Sequence, residues 1–430
     1  MLRNARTYNV RHTLRWAVFS LTLVSLCVPA HAQEFSAEQE AYLATQRKMH
    51  KEVAAISDDL NADVKPPSNQ EKQDFRRLLG AGIRKTDPKF ESFRSVLRFM
   101  IFQLTNPELK KDALGLQGVK TQIEGRFDRA GNQITAAAQK GQFRELFFEE
   151  VIEHLKELLS NNFEARSVAI ELLPSLLTSG PRDPFQRRQM LPSVASVLTG
   201  ILKDENQPDT VKARAVQSMH LYLARVNASA LVQIEFATAI KQELEPAVTA
   251  AEYQYLMVDT LGLVSAPREV AGQQRAVVFE TLANVIQDKR RHFRVRCRAA
   301  GALGRIGFDK AIDFEPLAWK TVQLAAETGE AYNEDRSLNH WPECGLQLYL
   351  AFHHLDKDGA TARNPQGMLN RAPSSELINL GYAQVLPIAK GMYFSHPSIP
   401  EDVLTSATAW VTENKPDNLK FDPASPELEP

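Results

Sequence analysis

The chain has 430 residues, 43% of them hydrophobic and 24% charged, and its 51 Lys and Arg nearly balance 52 Asp and Glu for a net charge of −1. That balance excludes the basic domain or stripe of a nucleic-acid binder. Three cysteines are too few for a disulfide scaffold.

The first residues read as a processing segment. Arg3, Arg6, Arg11 and Arg15 form a basic opening without an acidic residue. Trp16 to Pro29 is apolar with a few hydroxyls, and Ala30-His31-Ala32 is a small-x-small site before Gln33. This is the pattern of an export signal over residues 1–32, cut between Ala32 and Gln33, with an uncleaved anchor as the alternative. The apolar run is shorter than the ~20 residues a spanning helix needs, and none like it follows. The expected product is therefore periplasmic or extracellular, in a bacterium, with no membrane span after cleavage. Losing four arginines takes the net charge to −5. Cys297 and Cys344 then remain, either bridged or buried as separate thiols.

Residues 33–142 read as an N-terminal helical region. Gln33 to Leu60 is one polar helix, and the segment around Pro66-Pro67-Ser68 is a linker. Glu71 to Ile83 is a short amphipathic helix. Asp87-Pro88 opens the next helix, because proline suits the first helical position and aspartate can cap it. Its stripe is Phe93, Val96, Leu97, Met100, Ile101 and Leu104, and Asn106-Pro107 ends it. Glycines at 115, 118, 125, 131 and 141 interrupt Glu108 to Gln142, which reads as short helices joined by loops, with an exposed turn at Asp128 to Asn132.

From 143 to 356 the pattern becomes regular. Apolar stripes alternate in pairs: Phe147–Leu159 with Ala165–Leu177, Met190–Leu202 with Val211–Tyr222, and Leu231–Leu244 with Tyr253–Val264. Val277–Ile286 with Val295–Ile306 follows, then a weaker pair, Ala318–Ala325 with Cys344–Leu355. The second helix of each pair has a first core residue, at Ala165, Val211, Tyr253, Val295 and Cys344. These anchors are separated by 46, 42, 42 and 49 residues. Four residues after the anchor stand Ala169, Ala215, Met257, Ala299 and Leu348. Seven after it stand Leu172, Ser218, Thr260, Ala302 and Ala351, mostly small, which lets helices approach closely. Eight after it stand Leu173, Met219, Leu261, Leu303 and Phe352. A two-helix repeat of about 40–47 residues is the signature of helical solenoid arrays.

Val295 to Gly307, V-R-C-R-A-A-G-A-L-G-R-I-G, resembles the second helix of a HEAT repeat of the short bacterial kind. Val211-Lys212-Ala213-Arg214-Ala215 resembles it more loosely. The arginine three after the anchor recurs as Arg214 and Arg298, and the glycine nine after it as Gly262 and Gly304. The resemblance implies an α-solenoid of stacked antiparallel helix pairs. HEAT and armadillo-like arrays are mostly protein-binding scaffolds, so it also implies a protein partner.

Beyond His354, residues 357–413 read as a helical cap: a polar loop to Pro373, a helix from Ser374 to Met392, and a last helix from Pro400 to near Thr412. The segment 414–430, with four prolines and an acidic end, reads as a tail that is disordered or lies extended on the surface.

Little in the chain points to chemistry. His340 stands beside Trp341 and near Glu343 and Cys344, with His353 and His354 following. No H-E-x-x-H or paired C-x-x-C accompanies them, so no metal or cofactor is expected. His354 to Gly359 resembles a calcium loop only faintly, since His354 and Pro365 stand at ligand positions. G-x-S-x-G and a phosphate loop are absent, and no catalytic residue is assigned. The sharpest local feature is Lys289 to Arg298, with six Arg and Lys in ten residues. One reading binds an anionic partner through guanidinium groups. The other pairs Arg294 and Arg298 with acidic residues of adjacent repeats.

The reading is an all-α chain: N-terminal helices, about five HEAT-like helix pairs, a helical cap and a tail. Its function is that of an exported, non-enzymatic scaffold. The polar second-helix residues Arg166, Arg214, Gln217, Asp259, Arg296 and Arg298 form the expected contact face. Competing readings are a hydrolase or lyase, with a site in the Glu108–Gln142 loops or around His340, and a structural component of the cell envelope.

Overall fold

The structure, a computed structural model, describes residues 37–62, 64–110, 112–177, 191–225, 228–265, 276–306, 311–353, 367–422 and 426–429. The expected leader with its Ala32–Gln33 cut, and the loop from His354 to Pro365, lie outside these residues. Residues 1–40 and 41–430 form separate units. The first is described only at the start of α1 (Ala37–Ala55).

Among the described residues the chain is all-helical, without a β-strand. In the second unit α2 (Asn69–Ala81) opens on a capping box. The Ser68 hydroxyl accepts the Glu71 amide at 3.2 Å, and the Glu71 carboxylate accepts the Ser68 amide at 2.7 Å. α3 (Phe90–Phe102) ends in a short 3-10 turn, Gln103–Thr105, before Pro107. A single turn, α4 (Pro107–Lys110), leads to α5 (Ala113–Arg129).

α5 corrects the expectation of short helices and loops. Leu116, Val119, Ile123 and Phe127 make a continuous stripe that carries one long helix past its glycines, with Ile123 and Phe127 buried. Gly118 and Gly125 lie off that stripe, where a Cβ would meet nothing within 4 Å. The turn at 128–132 is likewise not fully exposed. Gly131, at φ +70°, donates its amide to the Leu79 carbonyl at 2.8 Å. Buried Arg144 donates to the carbonyls of Phe127 and Ala130, at 3.1 Å each, and so pulls the turn inward.

The helix pairs follow: α6 (Ala137–Leu158) with α7 (Phe163–Leu172), α8 (Pro192–Lys203) with α9 (Asp209–Arg225), and α10 (Ala230–Leu244) with α11 (Ala251–Leu261). Then come α12 (Val277–Gln287) with α13 (Phe293–Arg305) and α14 (Glu315–Glu334) with α15 (Trp341–Phe352). Pro174 ends α7 early in a 3-10 turn. The first helices pack in succession, α6 on α8, α8 on α10, α10 on α12 and α12 on α14. The second helices do the same, α7 on α9, α9 on α11, α11 on α13 and α13 on α15. Every residue of the four repeat columns, from Ala165 to Phe352, is buried.

Both rows extend beyond the repeats. α3 packs on α6 and α5 on α7. At the other end a short α16 (Met368–Arg371) precedes α17 (Glu376–Tyr393) and α18 (Glu401–Glu413). α17 packs on both α14 and α15, and α18 packs on α14. The described part of the tail is irregular and anchored, and it turns back so that the Leu428 amide donates to the Leu419 carbonyl at 3.2 Å. Leu419, Phe421 and Leu428 are buried, and the Phe421 carbonyl accepts the Asp313 amide at 2.8 Å.

Small residues set the spacing in the second row. A Cβ on Gly304 would lie 2.1 Å from the Leu350 carbonyl oxygen, and one on Gly301 would lie 2.3 Å from Gln347 Oε1. The glycines of the sequence motif thus mark the close approach of α13 to α15. Gly304→Ala is expected to lower stability by about 2 kcal/mol, the typical cost of overpacking a contact that cannot yield. Gly118→Ala is expected to raise it by up to ~1 kcal/mol through reduced backbone entropy. Denaturant midpoints of the two variants read this contrast. Equal effects would mean that α13 and α15 are not in close contact.

Candidate functional site

The second helices carry a line of charged side chains that passes from helix to helix. Lys120 Nζ on α5 lies 2.7 Å from Glu171 Oε2 on α7, and Glu171 Oε1 lies 3.7 Å from Arg214 Nη1 on α9. Further along α9, His220 Nδ1 lies 3.8 Å from Asp259 Oδ2 on α11. Asp259 Oδ1 accepts from Arg298 and, at 2.7 Å, from Arg305 Nη2, both on α13. Arg294 of the same helix donates to Glu343 Oε2 on α15 at 2.7 Å, and the Tyr255 hydroxyl on α11 donates to Glu343 too. The Arg294 and Arg298 guanidinium groups lie 4.5 and 4.9 Å from the centre of the Tyr255 ring. Burial alone pushes the Asp259 carboxyl up, but Arg305 and Arg298 outweigh it and hold the carboxyl below its ordinary value.

Four residues of the expected contact face belong to this line. Arg214 also donates to Gln217 at 3.1 Å, and Asp259 and Arg298 pair with each other. The other two do not face outward. Arg166 and Arg296 are 6% and 4% exposed. They stand one residue after the anchor, where Lys212 and Gln254 occupy the same place in the neighbouring pairs and are also buried. A buried cation must be satisfied nearby, and each of these long side chains reaches across the inter-helix loop to do so. Arg166 donates to the Ser160 and Asn161 carbonyls at 3.2 and 2.5 Å, and to Gln207 Oε1 of the next pair at 2.6 Å. Lys212 reaches Glu243 on α10 at 3.0 Å. Gln254 donates to the Thr249 carbonyl at 2.7 Å and accepts from Arg291 of the next pair at 2.8 Å. Arg296 donates to the Ile286 carbonyl at 2.8 Å and to Glu327 on α14 at 2.7 Å. The signal for this was in the chain, since that column reads Arg, Lys, Gln and Arg in the first four pairs beside the apolar anchors.

The side chains around His340 diverge. The His340 ring packs 4.5 Å from the His292 ring and 4.3 Å from Trp341, between centroids. Glu343 turns to Arg294 and Tyr255, and His353 stacks on Tyr349. Cys344 faces Cys297; both thiols are buried and unbridged. No group of three or more His, Cys, Asp or Glu side chains poised for a metal ion occurs among the described residues. No helix there is long and apolar enough to cross a membrane.

A third feature was not anticipated from the sequence. At the C-terminal ends of α10 and α12 a groove of about 710 Å³ is lined by Lys241, Asn284, Gln287, Lys289 and Arg290, and by Glu429 of the tail. Lys241 on α10 and Lys289, Arg290 and Arg291 in the loop after α12 bring four cations to this groove, beside Glu245 and Asp288. All six cations of the Lys289–Arg298 cluster meet a carboxylate. Lys289 and Arg296 meet Glu327, Arg290 and Arg291 meet Asp288, Arg294 meets Glu343 and Arg298 meets Asp259. Lys289 and Arg290 nonetheless remain 74% exposed. The Glu429 amide donates to Gln287 Oε1 at 3.2 Å, and Leu428 is buried beside it. The nearby Lys320 ammonium is pushed down to about 8 by burial, against the pull of Glu327 and Glu429.

Two outcomes follow. Asp259→Asn leaves two half-buried guanidinium groups without their carboxylate and is expected to cost about 3 kcal/mol in denaturant unfolding. Arg214→Ala, in a more open pair, should cost less than about 1 kcal/mol. The second concerns pH. Burial, then the charges of His292 and Arg294, push the His340 imidazole from its ordinary 6.5 down to about 4. The unfolded chain therefore takes up this proton at a higher pH than the folded chain does. The stability contributed is complete above pH 6.5 and is lost as pH falls from 6.5 towards 4. Melting temperature should fall across that window, and less steeply in His340→Asn; an unchanged slope would remove His340 from the cause. No family model, curated protein or solved structure matches the chain.

Proposed function

We propose that the chain is an exported, non-enzymatic scaffold, a HEAT-like α-solenoid, that holds a protein partner by an acidic segment with a leucine between its carboxylates. The groove between the ends of α10 and α12 receives that segment. The observation that carries this reading is the chain's own tail, which places Glu429 among Lys241, Lys289 and Arg290. The tail also indicates the chemistry of the occupant. In Pro426-Glu427-Leu428-Glu429 one apolar side chain stands between two carboxylates, and it is the leucine that is buried. Export rests on the basic and apolar leader with its small-residue cleavage site.

The second-helix face is less suited to an acidic partner, because its charges are already paired from helix to helix. In the groove Lys289 and Arg290 are each 74% exposed, and Lys241 stands beside them. A tethered tail acts at an effective concentration on the order of millimolar, so a partner segment must compete with it.

A labelled peptide with the sequence of residues 414–430 tests this. It should bind a chain ending at 413, weaken as salt screens the groove, and bind the full-length chain about tenfold or more weakly, since the tail competes. The pair of substitutions Lys241→Glu and Lys289→Glu should abolish binding. A truncated chain that keeps its helical circular dichroism and ignores the peptide would reject the proposal.

A further inference from the structure

A second cavity lies apart from the tail groove. It has a volume of about 170 Å³ and sits among α2, α3 and α5. Phe75, Val96, Met100 and Ile123 contribute apolar walls, while Lys72, Arg76 and Arg126 stand at its rim. Three cations and no carboxylate line it.

The acidic residues nearby are committed elsewhere. Asp74 pairs with Arg77 and Lys89, each at 3.2 Å. Glu71 closes the cap on Ser68. Glu124 lies 4.0 Å from Lys120. The side chains of Lys72, Arg76 and Arg126 make no hydrogen bond or ion pair among the described residues. Elsewhere the guanidinium groups of Arg144, Arg166, Arg294, Arg296 and Arg298 all meet carbonyls or carboxylates. Arg126 feels burial and then the like charges of Arg76 and Arg129, which together hold its value below the ordinary one. Two guanidinium groups held near each other without a counter-charge repel, and an anion between them relieves that repulsion.

We propose that this cavity binds a small carboxylate with an apolar body, its carboxylate held by Arg76 and Arg126 and its body lodged against Phe75, Val96, Met100 and Ile123. The volume sets the size of that body. An apolar cavity of about 150 Å³ takes a benzene ring, whereas drug-sized ligands need roughly 300 Å³ or more. One ring or one short branched chain therefore fits. Arginine is suited to the other end, since its planar fork matches a carboxylate through paired hydrogen bonds. The same chemistry is offered by a free acid or by the last residue of a peptide that ends in phenylalanine or leucine.

The test is calorimetric titration of the full chain with 3-phenylpropanoate, with its neutral amide, and with a short peptide ending in phenylalanine. The free acid, the peptide, or both should bind, and the amide should be about tenfold weaker or worse, a hydrogen bond to a charged group being worth roughly that. Arg126→Gln and Arg76→Gln, at the rim and outside the core, should each weaken binding while leaving the melting temperature unchanged. Met100→Trp should fill the cavity and block binding with every charge in place. Whichever of acid and peptide binds more tightly identifies the source. Equal binding of acid and amide, retention of affinity in Arg126→Gln, or no heat from acid or peptide at roughly 10 mM would each overturn the proposal.

Discussion

Adjacent helix pairs in this protein are joined by polar side chains that no single pair can satisfy. A long donor one residue after the first four anchors, at Arg166, Lys212, Gln254 and Arg296, is buried; after the fifth stands Gly345. Once buried it must find acceptors, because an unpaired buried polar group costs more than its hydrogen bond contributes. Arg166, Gln254 and Arg296 find them first in the carbonyls of their own pair. Arg166 and Arg296 then reach Gln207 and Glu327 of the following pair, Lys212 reaches Glu243, and Gln254 is met by Arg291. Removing one pair would strand its neighbour's donor. Apolar burial makes the helices adhere; these latches fix which helix follows which and in what register.

The line of charges on the second helices works on the same principle with weaker, more open pairs. Asp259 is its tightest point, shared by His220, Arg298 and Arg305. Since this line neutralises itself, the face richest in charged residues has little electrostatic attraction left for a partner. Cations exposed to a partner lie elsewhere. One place is the groove beyond α10 and α12, where Lys289 and Arg290 stay 74% exposed beside their carboxylates and the chain's own acidic tail sits. The other is the N-terminal cavity, where Arg76 and Arg126 meet no acid. The recognition proposed for this chain falls at these two places for that reason.

The helices and their buried stripes were legible because burial dictates them. Anchors Ala165, Val211, Tyr253, Val295 and Cys344 and the columns after them had to be apolar or small, and all are buried. Glycine misled where it was read as a breaker: α5 runs past Gly118 and Gly125 because the stripe from Leu116 to Phe127 is sufficient. The glycines of the 295–307 motif mark close contact with α15, which one helix considered alone does not show. Arg166 and Arg296 were placed on the outer face because charge usually marks solvent, yet the polar column they share was visible in the alignment of the pairs. The period ends after α15 because α17 packs across both α14 and α15 and does not extend one row alone. Neither the groove nor the cavity is local in sequence. Glu429 meets Gln287, and Arg76 meets Arg126, only after the helices pack.

The central claim is that helix pairs follow one another in two rows without folding back. Pulsed electron-spin distances test it most directly, with labels at exposed residues near the ends of the first helices: Lys156, Lys203, Gln242, Asn284 and Glu330. Distances measured from Lys156 should grow at every step, by about 10 Å or somewhat less per helix, the spacing of packed helix axes. A distance to Glu330 no longer than that to Gln242 would contradict the account.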